Sequence, residues 1–154
     1  MNLPNKHILP KLIICCLTLI LPILLWVVGG SDPKSYSEYY YTDAWWLFVG
    51  VIAAVSYKMM TNPKWILPGI LLLVLILFPC REYRTLHNTS AIVFFILSGL
   101  IITNDKRLYV IGWIMFAVSP LYFFNLYWVE IIEISLICIF HMKYMLRMNK
   151  LQNG

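Results

Sequence analysis

The sequence predicts an all-α integral membrane bundle of six transmembrane helices with short loops, a single domain over residues 1–154. Three observations predict it. First, 61% of the residues are hydrophobic and 12% are charged, whereas a soluble domain carries about 25% charged residues. A chain this small has too much surface to bury such a surplus in a core of its own. Lipid must therefore solvate most of it. Second, the apolar residues fall into six runs without the alternation of a membrane β-strand. Helices satisfy every backbone polar group inside such runs. Third, the basic residues sort to one side once six spans are drawn.

The first span is placed at 12–30. Its apolar run, Leu12 to Val28, follows Lys6 and Lys11 and precedes Gly29-Gly30-Ser31. The run exceeds the roughly 7–15 residues of a signal-peptide core and approaches the roughly 20 of a spanning helix. It is read as a retained first helix, with cleavage as the alternative. The second span, 44–59, opens on Trp45-Trp46. The third covers 65–80, the fourth 89–103, the fifth 108–124 and the sixth 126–142. Several runs are short for a hydrocarbon layer of about 30 Å, so flanking polar residues are expected to extend them. Pro22, Pro68 and Pro120 fall within spans, where they are expected to kink the helix. Gly50, Gly69, Gly99 and Gly112 would permit close helix approach.

The connections at 60–64, 81–88 and 104–107 are tight, and Asn125 alone separates the last two runs. Helices so joined run antiparallel as neighbours. Only the segment 30–43 has room for structure of its own.

With both termini cytoplasmic, the inner side holds Lys6, Lys11, Lys58, Lys64, Lys106, Arg107, Lys143, Arg147 and Lys150, nine of the twelve basic residues. Lys34, Arg81 and Arg84 are left outside. That asymmetry is a positive-inside pattern and points to the cytoplasmic membrane of a bacterium. It also accounts for the net charge of +5 without a nucleic-acid partner, since no basic patch interleaves with aromatics in a soluble segment. Asp32, Glu38, Asp43 and Glu82 fall outside, and Asp105 inside. Tyr122, Phe123, Phe124, Tyr127 and Trp128, with Trp45 and Trp46, form an outer aromatic belt. The four cysteines lack metal-type spacing and read as small apolar residues.

Glu130 and Glu133 stand out. They lie i, i+3 on the sixth span and share one face. A carboxylate within a span costs a few kcal/mol and commonly faces the bundle or a watery cavity. The alternative is that both snorkel to the headgroups from a helix N-terminus that favours anions. His87 closes the outer loop that also carries Arg81, Glu82 and Arg84. It is either a hydrogen-bonding loop residue or a base or ligand, and the two arginines suit lipid phosphates. His87, Glu130 and Glu133 are a weak candidate metal set, with no paired-histidine spacing behind it. His7 and His141 fall on the other side. No cofactor is expected.

The stretch "SYSEYYYT" at 35–42, followed by "FVG" at 48–50, fits a pattern Ser-x-Ser-x-Tyr-Tyr-x-Thr then Phe-Val-Gly. It resembles a family of small, uncharacterised bacterial multi-pass proteins. "LFPC" at 77–80 resembles their Leu-Phe-Pro-Thr, and "LHNTSAIVFF" at 86–95 their Leu-His-x-x-Ser-Ala-x-x-Phe-Phe. More remotely the chain looks like the six-helix DRAM, Sfk and Frag-type superfamily, through the His-x-x-x-Ala element before the fourth span. The resemblance implies six spans and marks Ser35, Ser37, Tyr39, Tyr40, Thr42, His87 and Ser90; it supplies no activity. The chain departs from the pattern at 43–46 and at Cys80.

The functional expectation is an extracytoplasmic polar pocket that binds or senses a lipid headgroup or small polar ligand. Its candidate residues are Ser35, Ser37, Tyr39, Tyr40, Thr42, Arg81, Arg84, His87, Ser90, Glu130 and Glu133. Two alternatives stay open. One is an integral-membrane lipid hydrolase or transferase using His87 with Glu130 and Glu133, although no Gly-x-Ser-x-Gly or His-Glu-x-x-His motif is present. The other is a structural subunit whose polar seam serves packing. Expected partners are membrane lipids and a second copy or another membrane protein.

Overall fold

The structure, a computed structural model, describes residues 8–30 and 34–153, with side chains described as far as Asn149. Lys6, His7, Ser31, Asp32 and the Lys150 side chain, which entered the reading above, lie outside the described residues. Six α-helices follow one another: α1 (Leu9–Gly29), α2 (Trp45–Met60), α3 (Ile66–Leu77), α4 (Arg84–Thr103), α5 (Tyr109–Val118) and α6 (Leu126–Asn153). Short 3₁₀ helices occupy Tyr36–Tyr41, Pro63–Trp65 and Ser119–Phe123, and no strand occurs among the described residues. The all-α expectation therefore holds. Among the described residues two helices, α1 and α4, are long and apolar enough to cross a membrane; α2, Pro63–Leu77 and Tyr109–Phe123 are shorter apolar helices.

Each helix packs on the next, and α1 also packs on α6, so the six close into a ring. At the closure Cys15, Cys138 and Met145 pack together in a small buried cluster. Leu21, Leu25, Tyr39, Phe48, Ile102 and Met115 lie in the interior. The outward faces carry exposed Ile13, Ile23, Val27, Trp113 and Ile114.

Boundaries differ from the apolar runs where polar residues face inward. α4 begins at Arg84 rather than at residue 89. Its buried stripe is His87, Ser90, Phe94 and Ser98, a helical period written partly in polar side chains. A hydropathy boundary misses it. His87 thus sits on a helix, not in a loop. The predicted fifth span breaks: α5 ends at Val118, and Pro120 helps open the 3₁₀ helix that follows. Pro68 lies in the first turn of α3, where a missing N–H costs nothing. Of the three prolines, Pro22 lies within the body of an α-helix.

Two small-residue contacts set the spacing of neighbours. Gly69 lets α3 approach α2: a Cβ there would stand 2.9 Å from the Ser56 carbonyl. Ser56 Oγ in turn donates to the Gly69 carbonyl at 2.7 Å. Gly112 does the same for α5 on α4, with a Cβ only 2.8 Å from the Gly99 carbonyl. Gly50, grouped with them from the sequence, has nothing within 4 Å of such a Cβ.

The segment 34–44, ahead of α2, forms a lid of its own. Its 3₁₀ helix Tyr36–Tyr41 packs on α1, α2 and α6. Tyr36 and Tyr39 are buried, and the Tyr36 ring meets Phe48 edge-on at 5.6 Å. This capped end holds the candidate site.

Candidate functional site

α6 buries Val129, Glu130, Glu133, Ile137 and Phe140 along one stripe, the three-to-four spacing of a core-facing helix side. The phase is anchored at its start, where Asn125 Oδ1 accepts from the Trp128 N–H at 3.2 Å. Glu130 is 8% exposed and Glu133 is 3% exposed. Both therefore lie inside the protein, and the snorkelling alternative does not hold. No cation pairs with either among the described residues; the ion pair described, Arg147–Asp105, is at the opposite end.

Hydrogen bonds hold them instead. The Tyr36 N–H donates to Glu130 Oε2 at 2.6 Å. Ser119 Oγ lies 2.6 Å from Glu133 Oε1 and 2.9 Å from the Met115 carbonyl. The two carboxylates share a helix face yet serve different neighbours: Glu130 ties down the cap, and Glu133 ties α6 to the end of α5. Glu130 takes its described hydrogen bond through Oε2 alone, so Oε1 has no donor among the described residues.

His87 is 3% exposed, one turn into α4. Its Nδ1 lies 2.9 Å from the carbonyl oxygen of Phe78, the residue that caps the end of α3. A carbonyl can only accept, so Nδ1 carries the proton and a neutral ring leaves Nε2 as acceptor. His87 thereby satisfies one of the orphan carbonyls of a helix end.

Ser37, His87 and Glu130 line one cavity with Tyr36, Phe48 and Phe94. Its volume is about 40 Å³, room for on the order of three waters. The remaining candidates do other things. Ser35 Oγ bonds Ser37 Oγ at 3.1 Å. Tyr39 Oη lies 3.4 Å from Tyr127 Oη. Thr42 closes the 3₁₀ helix, donating to the Tyr39 carbonyl at 2.9 Å and accepting from the Ala44 N–H at 3.2 Å. Tyr40 packs edge-on against Tyr41. Ser90 is buried next to His87 on the α4 stripe. Arg81 and Arg84 are exposed at the rim and do not line the cavity.

Sequence reasoning passed over Tyr41, which latches the cap to the α3–α4 connection. Its hydroxyl donates to Glu82 and accepts from the Arg81 N–H at 2.9 Å. The Arg81 guanidinium lies 4.2 Å from the Tyr41 ring centre. Burial, with the hydrogen bond to Glu82 added, pushes the Tyr41 phenol up to about 12. Burial likewise pushes the Tyr36 phenol well above its ordinary value, and its hydroxyl has no hydrogen-bond partner among the described residues. Ser119 and the Tyr36 amide were also missed, because neither a serine next to proline nor a backbone N–H carries a sequence signal for a carboxylate 14 or 94 residues away.

Ser37 bonds Ser35, and no hydrogen bond joins His87 to Ser37, Glu130 or Glu133 among the described residues. No three His, Cys, Asp or Glu side chains gather as a metal-ligand set among the described residues, so His87, Glu130 and Glu133 do not form the trio considered above. No family model, curated protein or solved structure matches the chain.

Proposed function

We propose that this is a six-span membrane protein of a bacterial cytoplasmic membrane, with both termini cytoplasmic, whose capped end binds or senses a lipid headgroup or small polar ligand. The apolar outward faces and the positive-inside asymmetry support the topology. Exposed Trp45, Trp46, Phe123, Phe124 and Trp128 suit an interfacial belt on the capped end. Kinship to the small multi-pass family rests on the motif over 35–95.

One observation carries the binding reading. Glu130 lines a small, partly open cavity with Ser37 and His87, while one of its carboxylate oxygens lacks a donor among the described residues. An acceptor without a protein donor is open to a donor-bearing group. The cavity volume limits that group to a few atoms, such as an ammonium or hydroxyl tip. A phosphate on the same ligand would stay at the rim, within the reach of exposed Arg84 or Arg81. An ethanolamine-type headgroup has both parts.

The test is photolabelling in lipid nanodiscs with a headgroup-reactive phosphatidylethanolamine probe, followed by peptide mapping. Labels should concentrate on 35–43 and 81–91 and fall severalfold in Glu130→Gln. Even labelling around the bundle would remove the proposal. Release of the headgroup, abolished by His87→Ala, would favour the hydrolase instead. The topology is tested separately: an impermeant thiol reagent should reach Arg84→Cys and Lys106→Cys from opposite sides of the membrane.

A further inference from the structure

The end of the bundle opposite the cap holds a much larger opening, which no sequence motif flags. It is a cleft of about 720 Å³ between the start of α3, the α4–α5 turn and α6, within the range of about 300–1,000 Å³ typical of small-molecule sites. Its walls have two chemistries.

The floor is aromatic. α6 contributes Phe140, His141, Tyr144 and Arg147, residues one and two turns apart on one side of the helix. Trp65, 3% exposed, comes from the 3₁₀ helix before α3. Its ring lies 4.5 Å from that of His141 and 6.0 Å from that of Phe140. Tyr144 stacks on Phe140 at 6.0 Å. His141 Nε2 is shielded from solvent and has no hydrogen-bond partner among the described residues.

The rim is cationic. Lys64, Lys106, Arg107 and Arg147 line the cleft, against the single carboxylate of Asp105. Asp105 is already engaged: it accepts from the backbone N–H groups of Arg107 at 2.9 Å and Leu108 at 3.1 Å, and pairs with Arg147 at 3.3 Å. Burial alone would raise its carboxyl, but those N–H groups and the Arg147 guanidinium outweigh it and hold the group below its ordinary value. Asp105 therefore shapes the turn and leaves Lys64, Lys106 and Arg107 without a carboxylate partner among the described residues.

Unpaired cations around an aromatic floor are what a phosphate ester with an apolar or ring portion needs. The geometry points to a binding site for such a ligand in this cleft, its phosphate on Lys64, Lys106 and Arg107 and its apolar part on Trp65 and Tyr144. An anionic phospholipid and a soluble nucleotide share that chemistry. The site is separate from the cavity at Glu130 and does not depend on the reading given to it.

The experiment uses the full chain in phosphatidylcholine nanodiscs. One arm titrates AMP by calorimetry. The other measures, by native mass spectrometry, retention of phosphatidylglycerol over phosphatidylcholine. Binding in either arm, lowered at least tenfold in the double variant Lys106→Gln/Arg107→Gln, is expected. The matched control Lys34→Gln/Lys143→Gln, two exposed cations that line neither the cleft nor the Glu130 cavity, should leave it unchanged. Binding of AMP identifies a soluble phosphate ester, and selective retention of phosphatidylglycerol identifies a lipid. Absence of both up to millimolar AMP and equimolar phosphatidylglycerol would overturn the proposal, as would equal losses in both double variants. The replaced residues are exposed; should the first double variant fail to fold, Lys64→Gln, also exposed, reads the same rim.

Discussion

The Tyr36 amide nitrogen stands 2.6 Å from Glu130 Oε2, joining positions 94 residues apart. The bond runs from the lid over the bundle to a carboxylate in its interior. It makes the cap part of the core rather than a loose connection.

Removing the acceptor should therefore expose how the cap is held. Glu130→Ala leaves a buried N–H unpaired, a cost of about 1–3 kcal/mol. Glu130→Gln keeps an acceptor in the same place and should cost about 1 kcal/mol or less. Unfolding in mild detergent would measure both. Hydrogen exchange should show faster exchange over 34–42 in the alanine variant alone, and equal exchange in the two variants would contradict the anchoring role.

The two glycines Gly112 and Gly50 should respond in opposite ways. A Cβ at Gly112 would meet the Thr103 backbone nitrogen and the Gly99 carbonyl, each at 2.8 Å. Gly112→Ala must push α5 from α4, at about 1–3 kcal/mol. Gly50→Ala meets nothing within 4 Å and gains up to about 1 kcal/mol of helix propensity. Thermal denaturation of the pair, side by side, checks the prediction.

The Tyr41 latch should be sensitive to alkali. Its phenol is raised from 10.0 to about 12 by burial and by Glu82. A raised group stabilises the fold fully below its unfolded value and loses that contribution as pH rises through the folded one. The latch should thus hold below about pH 10 and fail between about pH 10 and 12. Tyr41→Phe should cost about 0.5–1.5 kcal/mol at neutral pH, and the gap from the parent should close by about pH 12. Phenolate absorbance in the ultraviolet follows the titration. A Tyr41 that ionises near pH 10 would count against the bond.

The helical class and most helix positions were legible because apolar runs dominate them. α4 was cut short because its first turn buries His87 between exposed residues, which lowers local hydropathy without breaking the helical period. α5 was drawn too long because Leu121 to Phe124 are apolar enough to pass for helix, whereas Pro120 marks the change to 3₁₀. The common placement of Ser37, His87 and Glu130 followed from counting spans and sides, and the structure does bring these three to one cavity. Their size limit could not be read, since a volume depends on how Phe48 and Phe94 pack against the lid. The cationic cleft was read only as a topology signal: the charge rule that places Lys64, Lys106 and Arg107 on one side carries no information on whether they surround a hollow.

The contact between α1 and α6 sets an order of events in synthesis. A chain leaves the ribosome at about 5–20 residues per second, so α1 emerges well before the partner it needs on one flank. Until α6 follows, Cys15 faces neither Cys138 nor any other residue of that helix. The ring is completed last, by its final helix, and a nascent chain halted after α5 would keep one side of α1 open to whatever else is nearby.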